Sequence, residues 1–137
     1  NVQFVNKMNI DKIYQKLLKR SRKLRPLLKG KHVHFSYITN GNKILSFGVN
    51  NTRKTSPLAY RYTQNIYEIY TCAEVASLID FREDFSLLKK CTLFSIRLNK
   101  RGDTLCAKPC RICEKILIDF SVGLVYYSIL YDKLHQF

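Results

Sequence analysis

No apolar run in the sequence approaches the roughly 20 residues that a helix needs to cross a bilayer, which excludes a membrane-spanning helix. Glycine and proline are sparse, at five and three residues, so a collagen-like fibre or a Pro/Gly-rich low-complexity chain is excluded. Internal repeats and Gly/Ser linkers are missing too. With 137 residues, one domain over 1–137 is the expectation, long enough to bury a real core. The start, NVQFVNKMNI, lacks the basic residues, apolar stretch and cleavage site of a secretory signal, so an intracellular protein, cytoplasmic or nuclear, is expected. Acid is scarce in one half only. Residues 1–61 hold 14 Lys and Arg against a single acid, Asp11, whereas 62–137 hold 10 basic and 9 acidic residues.

What is present is therefore a globular composition, 46% hydrophobic and 25% charged, with nearly all of its +14 charge in the first half. A one-sided positive field attracts polyanions. Single-stranded nucleic acid or a phosphorylated nucleotide is the expected partner, against the plainer readings of a solubility device or a face for an acidic protein. The oligomeric state is open, a homo-oligomer among the options. Five cysteines, an odd number in a chain without a secretion signal, argue against a disulfide framework and for metal binding or core packing.

Apolar residues at Ile10, Ile13, Tyr14, Leu17, Leu18 and Leu24 have helical spacing, with Lys and Arg filling the other face. They predict a basic amphipathic helix over about 10–25, stopped by Pro26 and Gly30. Strands are predicted at 33–39 and 43–49, joined by an Asn40-Gly41-Asn42 turn, and at 91–98, 123–129 and 133–137. Residues 50–70 read as a long loop, and helices are expected over 72–84 and 110–120, with Pro109 in the first turn of the latter. The fold class is α/β, a mixed sheet with helices packed on it.

Two segments carry chemistry: Thr71-Cys72-Ala73-Glu74 and Pro109-Cys110-Arg111-Ile112-Cys113, each opening a predicted helix. A Cys-x-x-Cys pair offers two sulfurs to one metal ion, and a distant third thiolate leaves one corner of a tetrahedral site open for water. Helix N-termini favour thiolate over thiol. Glu74 could move the protons of such a water. Each piece also has a plain reading. Thr71-x-x-Glu74 fits a capping box, and the three cysteines fit a structural site whose fourth ligand is Cys91, Cys106, His32 or His34. Cys91 reads as core, Cys106 as a small buried residue, and His32, His34 and His135 show no catalytic spacing.

Cys72-Ala73-Glu74 with Pro109-Cys110-Arg111-Ile112-Cys113 resembles the zinc signature of the cytidine deaminase superfamily, a His or Cys two before a Glu and then Pro-Cys-x-x-Cys, over roughly residues 33–130. The resemblance implies a three-layer fold, a mixed five-stranded sheet with helices on both faces. It implies Zn2+ held by Cys72, Cys110 and Cys113, with Glu74 as the proton shuttle that converts cytosine to uracil. Asn50, in Gly48-Val49-Asn50, resembles the substrate-orienting Asn of nucleotide and polynucleotide deaminases. Asn50, Ala73 and Tyr127 are the implied substrate contacts. The chain departs from the free-nucleoside branch, with Val75 where an Arg follows the Glu and Thr52 where a ribose-binding Glu stands. Arg111, Arg53 and Arg61 are candidates for a cation that offsets three thiolates. Tyr60, Tyr62, Tyr67, Tyr70, Tyr126 and Tyr127 are candidates for stacking on unpaired bases.

Overall fold

In the computed structural model, residues 2–55, 61 and 70–137 are described. The chain runs α1 (Val2–Leu24), a 3-10 turn (Arg25–Leu27), β1 (His32–Asn40), β2 (Lys43–Val49), β3 (Asn51–Thr55) and β4 (Tyr70–Thr71). It continues with α2 (Ala73–Asp80), a second 3-10 turn (Phe85–Lys90), β5 (Thr92–Asn99), β6 (Thr104–Leu105), α3 (Arg111–Asp119), β7 (Leu124–Ser128) and β8 (Leu134–Gln136). The main sheet has the order β2-β1-β5-β7-β8, with β6 added on β5. It is mixed: β5 and β7 are parallel and the other pairs antiparallel.

Three expectations need correction. The basic helix begins at Val2, not near residue 10. The predicted loop over 50–70 contains β3 and β4, which pair as a separate two-stranded sheet. The second helix stops at Asp80 rather than 84. Polar, Lys- and Thr-rich β3 has no apolar alternation, so periodicity could not reveal it.

Strand alternation divides the core in two. Val33, Phe35 and Tyr37 of β1, with Phe94, Ile96 and Leu98 of β5, pack on Ile13, Tyr14, Leu17 and Leu18 of α1. Ile38 and Leu93, from the opposite parity of the same strands, pack with Val75 and Leu78 of α2 and with Ile112, Cys113, Ile116 and Leu117 of α3. Burying a side chain of this size contributes about 1.5–3 kcal/mol, and both clusters are nearly solvent-free.

Two local devices position the helices. Gly48 on β2 lies so close to α2 that a Cβ there would meet the Ser77 amide N at 2.4 Å and the Ala73 carbonyl O at 2.6 Å. Arg25, buried just past α1, donates to the carbonyls of Leu98, Asn99, Leu28, Gly30 and Lys31 at 2.7–3.3 Å. That satisfies the guanidinium and ties the end of α1 to β5.

Candidate functional site

Cys72 is the N-cap residue of α2 and Cys110 that of α3, so both sulfurs sit where backbone N–H groups and the helix dipoles favour negative charge. Pro109 lies one residue before that cap, not inside the helix as expected. The Cys110 Sγ accepts from the Cys113 N–H at 3.4 Å, which folds the Cys-x-x-Cys pair onto one side of the first turn. The approach to Cys110 is pinned from the sheet. Ser128 Oγ donates to the Leu105 carbonyl at 2.8 Å, and the Ala107 N–H donates to the Ser128 carbonyl at 2.9 Å.

The three sulfurs of Cys72, Cys110 and Cys113 all lie within 4.8 Å of one another and could hold a metal ion. They share negative charge unevenly. Hydrogen bonds from Cys113 and Cys72 pull the Cys110 thiol down to about 2. Its hydrogen bond to Cys110 pushes Cys72 up to about 12, with burial and the Glu74 carboxylate adding to the rise. Cys113 is pushed up for the same reasons. Ionising all three requires a cation among them, and soft sulfur donors suit a thiophilic divalent metal.

Glu74 is 1% exposed, at the second position of α2. It does not cap the helix, so the capping-box reading fails: Cys72 rather than Thr71 occupies the cap. Its Oε1 instead lies 3.0 Å from Ser95 Oγ and 3.4 Å from His34 Nε2. Ser95 also contacts His34 Nε2, and its single hydroxyl proton serves either Glu74 or the Ala107 carbonyl at 2.9 Å. Behind Glu74, Ser36 and Ser77 hydroxyls meet at 2.9 Å, and Ser77 Oγ donates to the Glu74 carbonyl at 2.8 Å. A buried carboxylate is thus held on the sheet face by polar strand residues, which offsets its desolvation.

A cavity of about 180 Å³ joins these groups, lined by His34, Cys72, Glu74, Arg97, Cys106, Ala107, Lys108 and Cys110. Metal-ligating, acidic and basic side chains therefore share one opening. A larger cavity of about 820 Å³, lined in part by Asp11, Ile13, Thr39 and Tyr126, is formed from α1 and the sheet and holds none of the signature residues.

Of the substrate candidates, Ala73 is fully buried in the first turn of α2. Asn50 closes β2: its Oδ1 accepts from the His34 N–H at 3.0 Å and its own N–H donates to the His34 carbonyl at 3.1 Å. Tyr127 pairs with Ser95 across β5 and β7, and its ring meets His135 and Phe137 edge-on at 5.9 and 6.3 Å. Tyr126 stacks on Phe94, on the α1 side. The proposed stacking residues Tyr60, Tyr62 and Tyr67 lie outside the described residues, as do the side chains of Arg53 and Tyr70.

Three assignments change. His34, set aside on spacing alone, touches Glu74. Its signal was parity: His34 and Ser36 are polar residues on the β1 face that carries buried Ile38, opposite the apolar face of Val33, Phe35 and Tyr37. Cys106 is exposed rather than buried, and Cys91 sits in the core as expected. The cations lining the cavity are Arg97 and Lys108; Arg111 and Arg61 are exposed and do not line it. Val75 fills the α2/α3 core cluster, which accounts for an apolar residue there. Among the described residues no helix is long and apolar enough to cross a membrane. No protein-family model matches this chain, and comparison with curated proteins returns no match.

Proposed function

We propose that the chain is a zinc-dependent hydrolytic deaminase of the cytidine deaminase type, converting cytosine to uracil. One observation carries this reading: three cysteine sulfurs from two helix N-termini converge within 4.8 Å, and the same small cavity exposes the carboxylate of a buried Glu74. The donor set fits zinc, with Cys72, Cys110 and Cys113 as the protein ligands and no fourth His, Cys, Asp or Glu in the cluster among the described residues. Zinc, when bound, supplies Lewis acidity that makes a water nucleophilic near neutral pH.

The chain's own residues would do the rest. Glu74 takes a proton from the attacking water and delivers it to ring N3. Oxygen adds at C4, and a second proton carried by Glu74 leaves with the amino group as ammonia. His34 and Ser95 hold the Glu74 carboxylate in place for both transfers. Arg97 and Lys108 at the cavity wall offer charge to a phosphate on the sugar of the target nucleotide. A single-stranded nucleic acid is the favoured substrate, because a stacked base must leave its duplex before attack.

The test is uracil formation from an oligonucleotide, deoxycytidine monophosphate and cytidine with the zinc-loaded protein. Turnover of the oligonucleotide is expected to exceed that of the other two. Preference for the mononucleotide or nucleoside would move the assignment to free nucleotides, and no uracil from any of them would overturn it.

A second reading has its own support. Cys106 lines the cavity with Cys72 and Cys110 but lies outside the 4.8 Å sulfur cluster, so a closed, structural zinc site in a binding module would draw it in as the fourth ligand. Cys106→Ser separates the two. A structural site loses zinc affinity, whereas an open catalytic site keeps it.

A further inference from the structure

Five exposed cations of α1 lie on the far side of the sheet from the cavity. The apolar stripe of α1 is spent against Val33, Phe35, Tyr37, Phe94, Ile96 and Leu98, while the cavity opens among groups of the opposite strand parity, His34 and Arg97 included. The outer face of α1 exposes Lys12, Lys16, Lys19, Arg20 and Lys23 at positions i, i+4, i+7, i+8 and i+11, one continuous stripe. None of the five makes a salt bridge among the described residues; Arg22 beside them is paired with Asp132. A shallow groove lined by Gln15, Leu18, Lys19, Arg22 and Lys23 runs along the same face. Five cations on one rigid helix repel each other and raise the cost of the fold, which a polyanion laid along them would relieve.

We infer that the outer face of α1 is a docking surface for the sugar-phosphate backbone of a nucleic-acid duplex, separate from the cavity. Rise per residue makes the stripe from Lys12 to Lys23 about 17 Å long, the axial length of about five base pairs. Lys12, Lys16, the adjacent Lys19 and Arg20, and Lys23 follow one another at about 4.5–6 Å per step, close to the spacing of phosphates along a strand. A single strand is the poorer fit, because such surfaces interleave aromatic stacking platforms with charge, and the described outer face of α1 has no exposed aromatic residue. A lipid surface is the poorer fit as well. An interfacial helix inserts its apolar face, and that of α1 is already buried: Leu17 and Leu18 are 0% and 1% exposed. Contacts made only to phosphates imply binding without sequence preference. The inference does not depend on the deaminase reading.

The experiment is fluorescence anisotropy of a labelled 20-base-pair DNA duplex across salt concentrations, with the whole chain. For the parent protein, log K should fall against log salt with a slope of about −4. In the variant Lys12→Gln, Lys16→Gln, Lys19→Gln, Lys23→Gln, checked as folded by circular dichroism, the slope should shrink to about −1 and affinity at low salt should drop at least tenfold. Arg97→Gln with Lys108→Gln, on the cavity side, should leave duplex binding within twofold. The inference is overturned by an unchanged slope in the fourfold variant, by loss in the cavity-side pair instead, or by tighter binding of the parent to phosphatidylserine vesicles than to duplex. Glu74→Gln distinguishes this from the proposed reaction: it should abolish uracil formation and leave duplex binding intact. Duplex binding that vanishes in the fourfold variant stands even if no uracil is ever formed.

Discussion

The two faces of the main sheet are built from the same strands and do opposite things. On the α1 side, β1 and β5 present mainly large apolar side chains, and the one buried charge there among the described residues, Arg25, is satisfied by five backbone carbonyls. On the α2/α3 side, the alternate residues of those strands include His34 and Ser95, which contact a buried carboxylate, and Ser36, which bonds Ser77 behind it; His34 shares its cavity with Cys72 and Cys110. A strand can serve both ends because its side chains alternate, so a dry face supplies stability while its reverse holds polar groups that would weaken a core on their own. The chemistry is backed by a rigid layer instead of being built into one.

If this division holds, substitutions on the two faces should fail in different ways. The largest effect belongs to Glu74→Gln, an isosteric change that removes the proposed proton carrier. Uracil formation should drop by about 10²–10⁴-fold, with zinc content and urea midpoint near those of the parent. Loss of bound zinc in this variant would instead make Glu74 part of the metal site. The mirror experiment is Leu17→Ala, fully buried on the α1 side. It should cost about 2–5 kcal/mol of stability, read as a lower urea midpoint, while turnover per folded molecule stays unchanged.

Much of this arrangement was legible beforehand because it rests on local signals. The Asn40-Gly41-Asn42 turn, apolar alternation in β1 and β5, and the helical spacing from Ile13 to Leu24 each specify an element without help from distant residues. Cys72, Glu74, Cys110 and Cys113 stood out because their chemistry and their position before helices coincided. The His34 contact with Glu74 was not legible, since it joins β1 to α2 across 40 positions and depends on register. Pairing of β1 with β5 also brings Arg97 beside His34, which made Arg97 a cavity residue in place of the arginines nearer the motif. Cys106 looked buried because it lies near Cys110, but the turn out of β6 exposes it. The position of the basic stripe relative to the cavity follows from which face α1 covers, and no composition reveals that.

A more modest change should blur the two faces. Gly48→Ala places a methyl group against the backbone of α2, at 2.4 Å from the Ser77 amide nitrogen, where no flexible side chain can give way. α2 must shift outward, carrying Cys72 and Glu74 away from the sulfurs of α3. The expected cost is about 1–3 kcal/mol of stability, together with weaker metal binding in a cobalt titration followed by thiolate-to-metal absorbance. Equal metal affinity in parent and variant would show that the sulfur cluster tolerates movement of α2.

The smallest expected effect isolates the α1 face through pH alone. Tyr14 is buried there, with its hydroxyl donating to the Lys133 carbonyl at 3.4 Å. Burial, reinforced by the Asp132 carboxylate, pushes its phenol up to about 12 from the ordinary 10. The fold therefore holds the proton more tightly than the unfolded chain does. Its contribution is fully present below about pH 10 and is lost as pH rises toward about 12. Tyr37, on the same face and bonded to Ser21 at 2.8 Å, is raised in the same direction by burial and adds to the trend. Urea midpoints measured from pH 9 to 12 should fall less steeply for Tyr14→Phe than for the parent, because phenylalanine has no proton to lose. Parallel curves would mean that folding does not raise the Tyr14 phenol above its unfolded value, and that the alkaline loss of stability arises elsewhere.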